Sequence, residues 1–406
     1  MRLLIILLIL NLHPGALTFK NTMLKLSRLC SVPFREASNH FAGELSAINE
    51  TCSRRIRYSG KYPKVFAEKY KEKRGDPDTI TKVISKGGTP AGRHIPVMVK
   101  ECMEALGLSR NHTTLANNFA VDCTVGYGGH SSRILQKIVS KNGTLIAIDQ
   151  DFQELFKAEK RLRTYLNAKL NSDRDHIQSH LIVVNDNFEN LCDIISQMRL
   201  IGNVNYLLAD LGYSSMQIDD PDRGFSFKYD GELDMRMNLN STFSATTYLS
   251  NVTQIQLSKA LSENSDEQYA NEIAKSILGQ QARPRKISEL CDAVRNCYMR
   301  IPSADKGKDS INKAITRVMQ AIRIEVNGEF KALDALLQAL PSVLAPGGRV
   351  AILTFHSGED RRVKKAFKSG FNAGIYSSWS RDVVRAGAEE RRANARSKCA
   401  KLRCLS

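Results

Sequence analysis

The stretch Val121-Asp122-Cys123-Thr124-Val125-Gly126-Tyr127-Gly128-Gly129-His130 decides the fold, because a short apolar strand runs into a glycine-dense turn and then a helix. Glycines let the backbone turn tightly and approach a ligand closely, and the first N–H groups of a helix are unpaired donors. A second apolar run, at residues 145–149, ends in a carboxylate about 20 residues past the glycines, where such folds place the acid that binds ribose hydroxyls. Two strand ends therefore point at one nucleotide-like ligand.

Each half of this pattern also has an ordinary structural explanation. Gly-Gly turns are common, and an Asp that closes an apolar strand is often only a helix N-cap. As a dinucleotide motif the turn is incomplete, since Ser131 or Ser132 stands where a third glycine would pack the helix on the strand. This departure disfavours NAD and favours S-adenosylmethionine, which has an adenosyl ribose but no pyrophosphate.

Strand-like and helix-like segments alternate through the rest of the chain. Apolar strand patterns cover residues 119–122, 145–149, 181–185, 204–210 and, much later, 349–355. Continuous apolar strands separated by helices indicate a parallel sheet covered on both faces. Because helical periodicity fills the long gap before the fifth strand, we predict a Rossmann-like α/β sheet with an inserted helical subdomain.

The same patterns predict the domain boundaries. Residues 1–90 read as a targeting segment and polar linker, and residues 91–213 as the first part of the sheet domain. The helical insertion, expected to recognise the substrate, covers residues 214–326. Residues 327–406 complete the sheet domain and end in a basic C-terminal tail.

The charge of the chain favours a polyanionic partner. There are 59 Lys and Arg against 42 Asp and Glu, a net charge of +17. Residues 361–406 hold 13 Lys and Arg against 3 Asp and Glu, and residues 53–74 form another basic run. Such runs are often only solvated tails. For 361–406 we predict phosphate contacts with RNA through Arg391, Arg392 and Arg396.

The cysteines and histidines do not predict a metal site. Nine cysteines are scattered without a CxxC pair, and the eight histidines include no HExxH. Free thiols in a reducing compartment are the simplest explanation. We therefore expect no metal.

The N-terminus has two interpretations. The run MRLLIILLIL from Met1 resembles a secretory signal and is too short to span a bilayer. From Met23, the run MLKLSRLCSVPFR is basic, hydroxylated and free of acids, as in an organellar transit peptide. We expect import into the mitochondrial matrix and no membrane span, with residues 1–22 as a possible upstream-start artefact.

Further candidate residues follow the fourth strand. Ser214 and Ser215 lie in a polar loop at a strand's carboxyl end, where ligands bind in open α/β sheets. Asp234 and Arg236 alternate with apolar residues, which favours a site role, whereas the nearby phenylalanines are better explained by packing. His356 has no accompanying GxSxG, so a Ser/His/Asp triad is not expected.

A series of motifs carries a resemblance to a known family. In order they are DxTxGxGGH at 122–130, AIDxD at 147–151, DLGxSS at 210–215, RGFSF at 223–227, DGxLDMRM at 230–237, QAxRIxVNxE at 320–329, LAPGGR at 344–349 and FHSxED at 355–360. This combination resembles the MraW (RsmH) family of small-subunit rRNA cytosine-N4 methyltransferases, and looks most like its mitochondrial form. The resemblance runs from residue 94 to residue 403.

The resemblance implies a class I S-adenosylmethionine-dependent methyltransferase that acts on a cytidine of small-subunit rRNA or of a ribosomal subunit precursor. The residues it implies for cofactor binding are Gly128, Gly129, His130, Asp149, Phe188, Asp210 and Gln217. For the acceptor, we predict that the Ser214 and Ser215 loop contacts the exocyclic amine. Asp234 and Arg236 are predicted to fix the base edge or a phosphate.

Five residues, at four places in the motifs, depart from the family pattern. Met216 replaces a proline, Lys313-Ala314 replaces His-Pro, Met319 replaces a phenylalanine and Gly358 replaces a leucine. The departures leave the cofactor turn intact. Met216 and Lys313-Ala314 motivate an alternative, a non-catalytic RNA-binding ribosome-assembly factor that keeps the fold, against which the intact cofactor residues argue. An NAD-dependent oxidoreductase is disfavoured by the incomplete glycine motif.

Overall fold

A six-stranded sheet forms the centre of the computed structural model, which describes residues 96–109, 117–170, 179–214, 217–218 and 220–406. The strands are β1 Phe119–Asp122, β2 Thr144–Asp149, β3 Leu181–Asn185, β4 Val204–Asp210, β5 Leu344–Thr354 and β6 Lys401–Leu405. Their order is β3-β2-β1-β4-β5-β6. The first five pair in parallel, and β6 is antiparallel to β5. The strand order reverses between β1 and β4, which is where open α/β sheets bind their ligands.

Helices cover both faces of the sheet. They are α1 Val99–Ala105, α2 Gly129–Ile138, α3 Phe152–Leu170, α4 Leu191–Gln197, α10 Glu329–Val343, α11 Ser357–Asn372 and α12 Ala388–Ala393. One apolar cluster includes Leu135, Leu162 and Leu208, and another includes Ile148, Leu336 and Ile352. Along β4, Leu208 belongs to the first cluster, whereas its neighbours Leu207 and Ala209 belong to the second. Both faces of the strand are therefore buried, which explains its continuous apolar sequence.

Six helices of the described part of the chain lie between β4 and β5; α10 covers the sheet, and the other five have an apolar core of their own. These five are α5 Ala245–Asn251, α6 Gln254–Ser265, α7 Ala270–Leu278, α8 Ile287–Arg300 and α9 Lys308–Asn327. Leu257, Ile273, Val294 and Val318 are among the residues buried in this core. The predicted α/β class with a helical insertion is thus confirmed. The predicted domain boundaries stay predictions, and the targeting segment and linker lie outside the described residues.

The C-terminal region is more ordered than a basic tail. Residues 357–372 form α11, and residues 401–405 form β6 at the edge of the sheet. Arg403 is buried and its Nε lies 2.6 Å from Oδ1 of Asp360 on α11. The short run KLRCL lacks a long apolar pattern, so its pairing with β5 became visible only in the folded chain.

Three further properties concern the described residues alone. No helix among them is long and apolar enough to cross a membrane. They contain no group of three or more His, Cys, Asp or Glu side chains that could hold a metal ion. Each of the seven cysteines in this part of the chain is a free thiol.

Candidate functional site

The glycine turn between β1 and α2 forms the first wall of the site. Gly128 is the N-cap of α2 with φ 82°, a left-handed conformation that glycine adopts without strain. No side chain caps this helix end. The N–H groups of its first turn, including those of Gly129 and His130, therefore remain for a ligand to satisfy.

Asp149 ends β2 and faces this turn. Its Oδ2 accepts a hydrogen bond from the Gly126 N–H at 2.7 Å, and its Oδ1 accepts one from the Asp151 N–H at 2.9 Å. Burial raises the pKa of Asp149 to about 7, although the two backbone donors act in the opposite direction. Each carboxylate oxygen has a second lone pair, so Asp149 can still accept bonds from ribose hydroxyls.

Asp210 ends β4 beside the same turn, and its carboxyl group is incompletely bonded. Oδ2 lies 3.6 Å from Nδ1 of the buried His130. Oδ1 is buried and has no hydrogen-bond partner among the described residues. Burial raises the pKa of Asp210 to about 7, while the charge of Arg396 lowers it. An unsatisfied carboxylate oxygen here indicates a place for a ligand donor.

His130 connects Asp210 to the loop before α1. Its Nε2 lies 2.9 Å from the carbonyl oxygen of Val97, which can only accept, so Nε2 carries a proton. Burial lowers the pKa of His130 and favours the neutral ring. In a neutral ring protonated at Nε2, Nδ1 has a lone pair that faces Asp210. The side chain of His130 therefore links Val97 to Asp210, whereas its backbone N–H lies in the first turn of α2.

Gln217 belongs to a network that sequence reasoning missed. Its Nε2 donates to Oδ2 of Asp151 at 3.0 Å, and the same oxygen accepts a bond from Arg223 at 2.9 Å. Its Oε1 accepts a bond from the Ser214 N–H at 2.9 Å. Asp151 and Arg223 stood within the recognised motifs, but nothing in their spacing indicated this contact. Through it, Gln217 joins the acceptor loop to the start of α3.

The other predicted acceptor residues have different positions. Ser214 is partly buried next to Gln217, and Ser215 lies outside the described residues. Arg236 forms a two-pronged ion pair with Asp234 and also donates to the carbonyl of Ser241. These contacts close the loop on itself. A role of Asp234 and Arg236 toward substrate stays a prediction.

Phe188 follows β3 as the first residue of a 3-10 turn, Phe188–Asn190. It is partly exposed and packs against the apolar cluster that contains Ile148. The turn is fixed by the Asn187 side chain, which accepts a bond from the Glu189 N–H at 3.0 Å. An aromatic ring is therefore held next to the strand that ends at Asp149.

The family departures fall mainly inside the protein. Ala314 and Met319 are buried in the core of the insertion. Gly358 begins the buried side of α11, where a Cβ atom would lie 2.6 Å from Cζ of Phe330. A leucine at position 358 would therefore collide with this ring. Met216 lies outside the described residues.

Comparisons with known proteins agree with this geometry. The sequence model of the MraW methylase family matches residues 91–406. Two similar relatives, from Agathobacter rectalis and Lachnoclostridium phytofermentans, are both named ribosomal RNA small subunit methyltransferase H 1. They are 45% and 44% identical to this chain over 355 residues, which cover 86% of this chain and 96% and 92% of the relatives. An rRNA methylase structure from Streptococcus thermophilus covers 74% of this chain and 90% of its own at 10% identity, and its TM-score of 0.30 is too low to carry an argument.

Proposed function

Because the chain belongs to the MraW methylase family, we propose that it transfers the methyl group of S-adenosylmethionine to the N4 amine of a cytidine in small-subunit rRNA. The relatives named for small-subunit rRNA methylation support the substrate class. The observation that carries the proposal is the meeting of the uncapped α2 terminus with Asp149 and Asp210 at one edge of the sheet.

The residues at this edge fit the cofactor. The N–H groups at Gly129 and His130 suit its polar amino-acid end, and Asp149 suits the ribose hydroxyls. The partly exposed ring of Phe188 would offer an apolar surface to the adenine. The buried, unpartnered Oδ1 of Asp210 requires a donor or a positive charge. When bound, the cofactor supplies a methyl group on a sulfonium, which is a good leaving group.

For the acceptor, the residues have to orient a weak nucleophile. The lone pair of the cytosine N4 amine is delocalised into the ring, so catalysis depends mainly on holding the amine in line with the methyl group. Ser214 and the carbonyls of its loop are the groups proposed to hold the amine. Gln217 keeps this loop against Asp151 and so limits its freedom.

The Asp210 and His130 pair provides a place for the proton that the amine loses. His130 Nδ1 and Asp210 Oδ2 lie 3.6 Å apart, and the pKa of Asp210 is raised to about 7 by burial. An ionised Asp210 can accept the amine proton at Oδ1, which has no other partner among the described residues. His130 remains neutral throughout, with its Nε2–H donated to the Val97 carbonyl.

Methyl transfer tests the proposal directly. The full chain is incubated with S-adenosylmethionine labelled in its methyl group and with small ribosomal subunits that lack the modification. We expect label in N4-methylcytidine when the digested rRNA is analysed by mass spectrometry. Binding of RNA without methyl transfer would instead favour the non-catalytic assembly factor.

Two variants connect this activity to the site. Asp149→Ala should weaken S-adenosylmethionine binding at least about tenfold, because a charge-assisted hydrogen bond contributes roughly 1.5–3 kcal/mol. The exposed Glu263 on α6 offers a matched control, Glu263→Ala, which should leave binding unchanged. Equal affinities of the two variants in calorimetry would contradict the assignment of Asp149.

We also propose that the protein acts in mitochondria. The support is the basic, acid-free run that follows Met23, together with the net charge of +17. This proposal is independent of the methyl-transfer chemistry.

A further inference from the structure

Residues 384–400 lie at the same edge of the sheet as the cofactor-binding groups. Strand β6 is antiparallel to β5, and Lys401 at its start pairs with Thr354 at the end of β5. The residues just before Lys401 therefore extend past the carboxyl end of β5. Val384 exchanges backbone hydrogen bonds with Leu402 at 3.1 and 2.9 Å, which brings the following residue, Arg385, to this edge as well.

A second contact fixes this segment beside His130. Oε1 of Glu390 on α12 accepts a hydrogen bond from the Met98 N–H at 2.7 Å. The preceding residue, Val97, is the one whose carbonyl binds His130. Ser397 is 1% exposed, and its hydroxyl donates to the Asn394 carbonyl at 2.8 Å. The turn that contains Arg396 is thus built into the protein rather than free in solvent.

Two arginines lie at this edge: Arg396 on the turn, where its carbonyl accepts a hydrogen bond from the Cys399 thiol at 3.3 Å, and Arg385 next to Val384. Burial raises the pKa of Asp210, and Arg396 is the positive group that acts to lower it. Burial also raises the pKa of Cys399, and both Arg396 and Arg385 act to lower that pKa. These charge effects agree with the backbone contacts, which put both arginines on the side of the sheet where Asp210 ends β4. Glu359, the acidic neighbour of both sites, is held by the Phe355 N–H at 2.8 Å.

We propose that Arg385 and Arg396 bind the phosphate groups that flank the acceptor nucleotide, beside Asp210. This inference rests on the proposed function. A base that enters the site brings its two phosphodiesters to the rim, and the planar guanidinium group matches phosphate in charge and geometry. Arg391 and Arg392 are exposed on α12. Arg391, Arg392 and Arg396 were predicted to contact RNA together, but in this proposal only Arg396 binds next to the acceptor nucleotide.

Nucleotide binding to the full chain, saturated with S-adenosylhomocysteine, tests the inference. The probes are cytidine and cytidine 3′,5′-bisphosphate, measured by calorimetry. The parent should prefer the bisphosphate by roughly tenfold or more, because the two phosphates add charge-assisted contacts that cytidine lacks. Arg396→Gln and Arg385→Gln should each lose most of this preference. Arg392→Gln, from the same segment, is the control and should keep it.

Two additional readouts separate phosphate binding from a structural role. Affinity for S-adenosylhomocysteine should stay within about twofold in both variants, because neither arginine is assigned to the cofactor. Arg396→Lys should recover part of the preference, since it keeps the charge but loses the guanidinium fork. With ribosomal subunits that lack the modification as substrate, Arg396→Gln and Arg385→Gln should each raise KM by a larger factor than they lower kcat.

The inference is overturned if the parent has no preference for the bisphosphate, or if Arg396→Gln retains it. A large loss of S-adenosylhomocysteine affinity in Arg396→Gln would also overturn it and assign this residue to the cofactor. Absence of methyl transfer by the parent contradicts the proposed function instead, and the nucleotide-binding experiment does not depend on that activity.

Discussion

Individual carboxyl groups dominate the chemistry of the sheet edge. Asp122, Asp149 and Asp210 end the adjacent strands β1, β2 and β4. Asp122 is 1% exposed and is bound within the protein, where it accepts bonds from the Ser131 hydroxyl at 2.6 Å and the Thr124 N–H at 3.1 Å. Asp149 and Asp210 both have a pKa raised to about 7 by burial. Near neutral pH, Asp149 and Asp210 are therefore partly protonated without a ligand, and they have to lose these protons to bind the cofactor as carboxylates.

This protonation predicts that S-adenosylmethionine binds more tightly as the pH rises from 6 to 8. Asp149 accepts ribose hydroxyl bonds best when ionised, and it is increasingly protonated below pH 7. Affinity should fall by up to about tenfold per pH unit for each such group below its pKa. Asp149→Asn should bind more weakly at pH 8 and show a shallower pH dependence. Calorimetry over this range measures both, and a parent affinity that does not change with pH would refute the prediction.

The stability of the ligand-free protein should change in the opposite direction. The folded carboxyl groups of Asp149 and Asp210 keep their protons up to pH about 7, whereas unfolded aspartates lose theirs near pH 4. The folded state thus binds more protons within this window, so these groups destabilise it as the pH rises from about 4 to about 7. The Asp149→Asn variant removes one of the two contributions, and thermal unfolding at several pH values compares it with the parent.

Helix α11 joins the last strand of the sheet to the helical insertion through two ion pairs. It contacts β6 through the ion pair of partly buried Asp360 with buried Arg403, and it contacts the insertion through Arg361, which binds Asp266 at 3.0 Å. Burial raises the pKa of Asp360, but Arg403 and Lys401 outweigh this effect and lower it overall. The two ion pairs share a helix but differ in exposure.

This difference predicts unequal costs for removing the two arginines. Arg403 is 3% exposed, and Arg403→Ala leaves the partly buried Asp360, 13% exposed, without its main partner, so it should cost up to about 3–5 kcal/mol. Arg361 is 57% exposed and its partner 54%, so Arg361→Ala should cost at most about 1 kcal/mol. Denaturant unfolding measures both variants. Similar losses of stability would show that β6 is less tightly integrated than its contacts indicate.

The packing of α10 against α11 predicts the effect of a side chain at Gly358. A Cβ there would lie 2.6 Å from Cζ of Phe330, whose ring also carries Arg362 at 4.2 Å. Gly358→Ala should therefore destabilise the protein by about 1–3 kcal/mol through overpacking. At Gly387, a Cβ meets nothing within 4 Å, so Gly387→Ala is a control that should be nearly neutral. If both variants unfold like the parent, the Phe330 ring moves freely and the explanation fails.

The whole molecule combines a sheet that binds the cofactor with an insertion that has a separate apolar core. The two parts meet at Asp151, since Gln217 and Arg223 from the start of the insertion both donate to its carboxylate. Arg223 also donates to the Met237 carbonyl at 3.1 Å. The described residues of the loop after β4 are thereby tied to the strand end that holds Asp149.

At the level of the whole chain, residues 23–60 should direct a reporter protein into mitochondria. The run after Met23 is basic and hydroxylated and has no acidic residue before Glu36. Microscopy and protease protection of isolated organelles provide the measurement. Replacing Lys25, Arg28 and Arg35 by Gln should abolish import of the reporter. Secretion of the full-length chain with residues 1–22 removed would contradict the mitochondrial proposal.

Much of the fold was predictable because the information is local. The strand patterns at 119–122, 181–185 and 204–210 match β1, β3 and β4, since continuous apolar runs bounded by turns can be buried only in a covered sheet. The glycine turn and Asp149 were also predictable, because a left-handed glycine and a terminal carboxylate are tied to particular positions in the chain. Motif order then identified the family, which the match over residues 91–406 shows.

Only the tertiary structure decided which distant side chains meet. His130 contacts Val97 and Asp210, Gln217 contacts Asp151 at a separation of 66 residues, and Arg403 is buried on Asp360. Apolar periodicity determines which face of an element is buried, but it contains no information on which polar groups then share a cavity. These pairings arise when strands far apart in sequence become neighbours and burial makes an unpaired polar group costly. For that reason the sequence determined the sheet and its glycine turn, whereas the hydrogen-bond network of the site and the position of Arg396 were decided by folding.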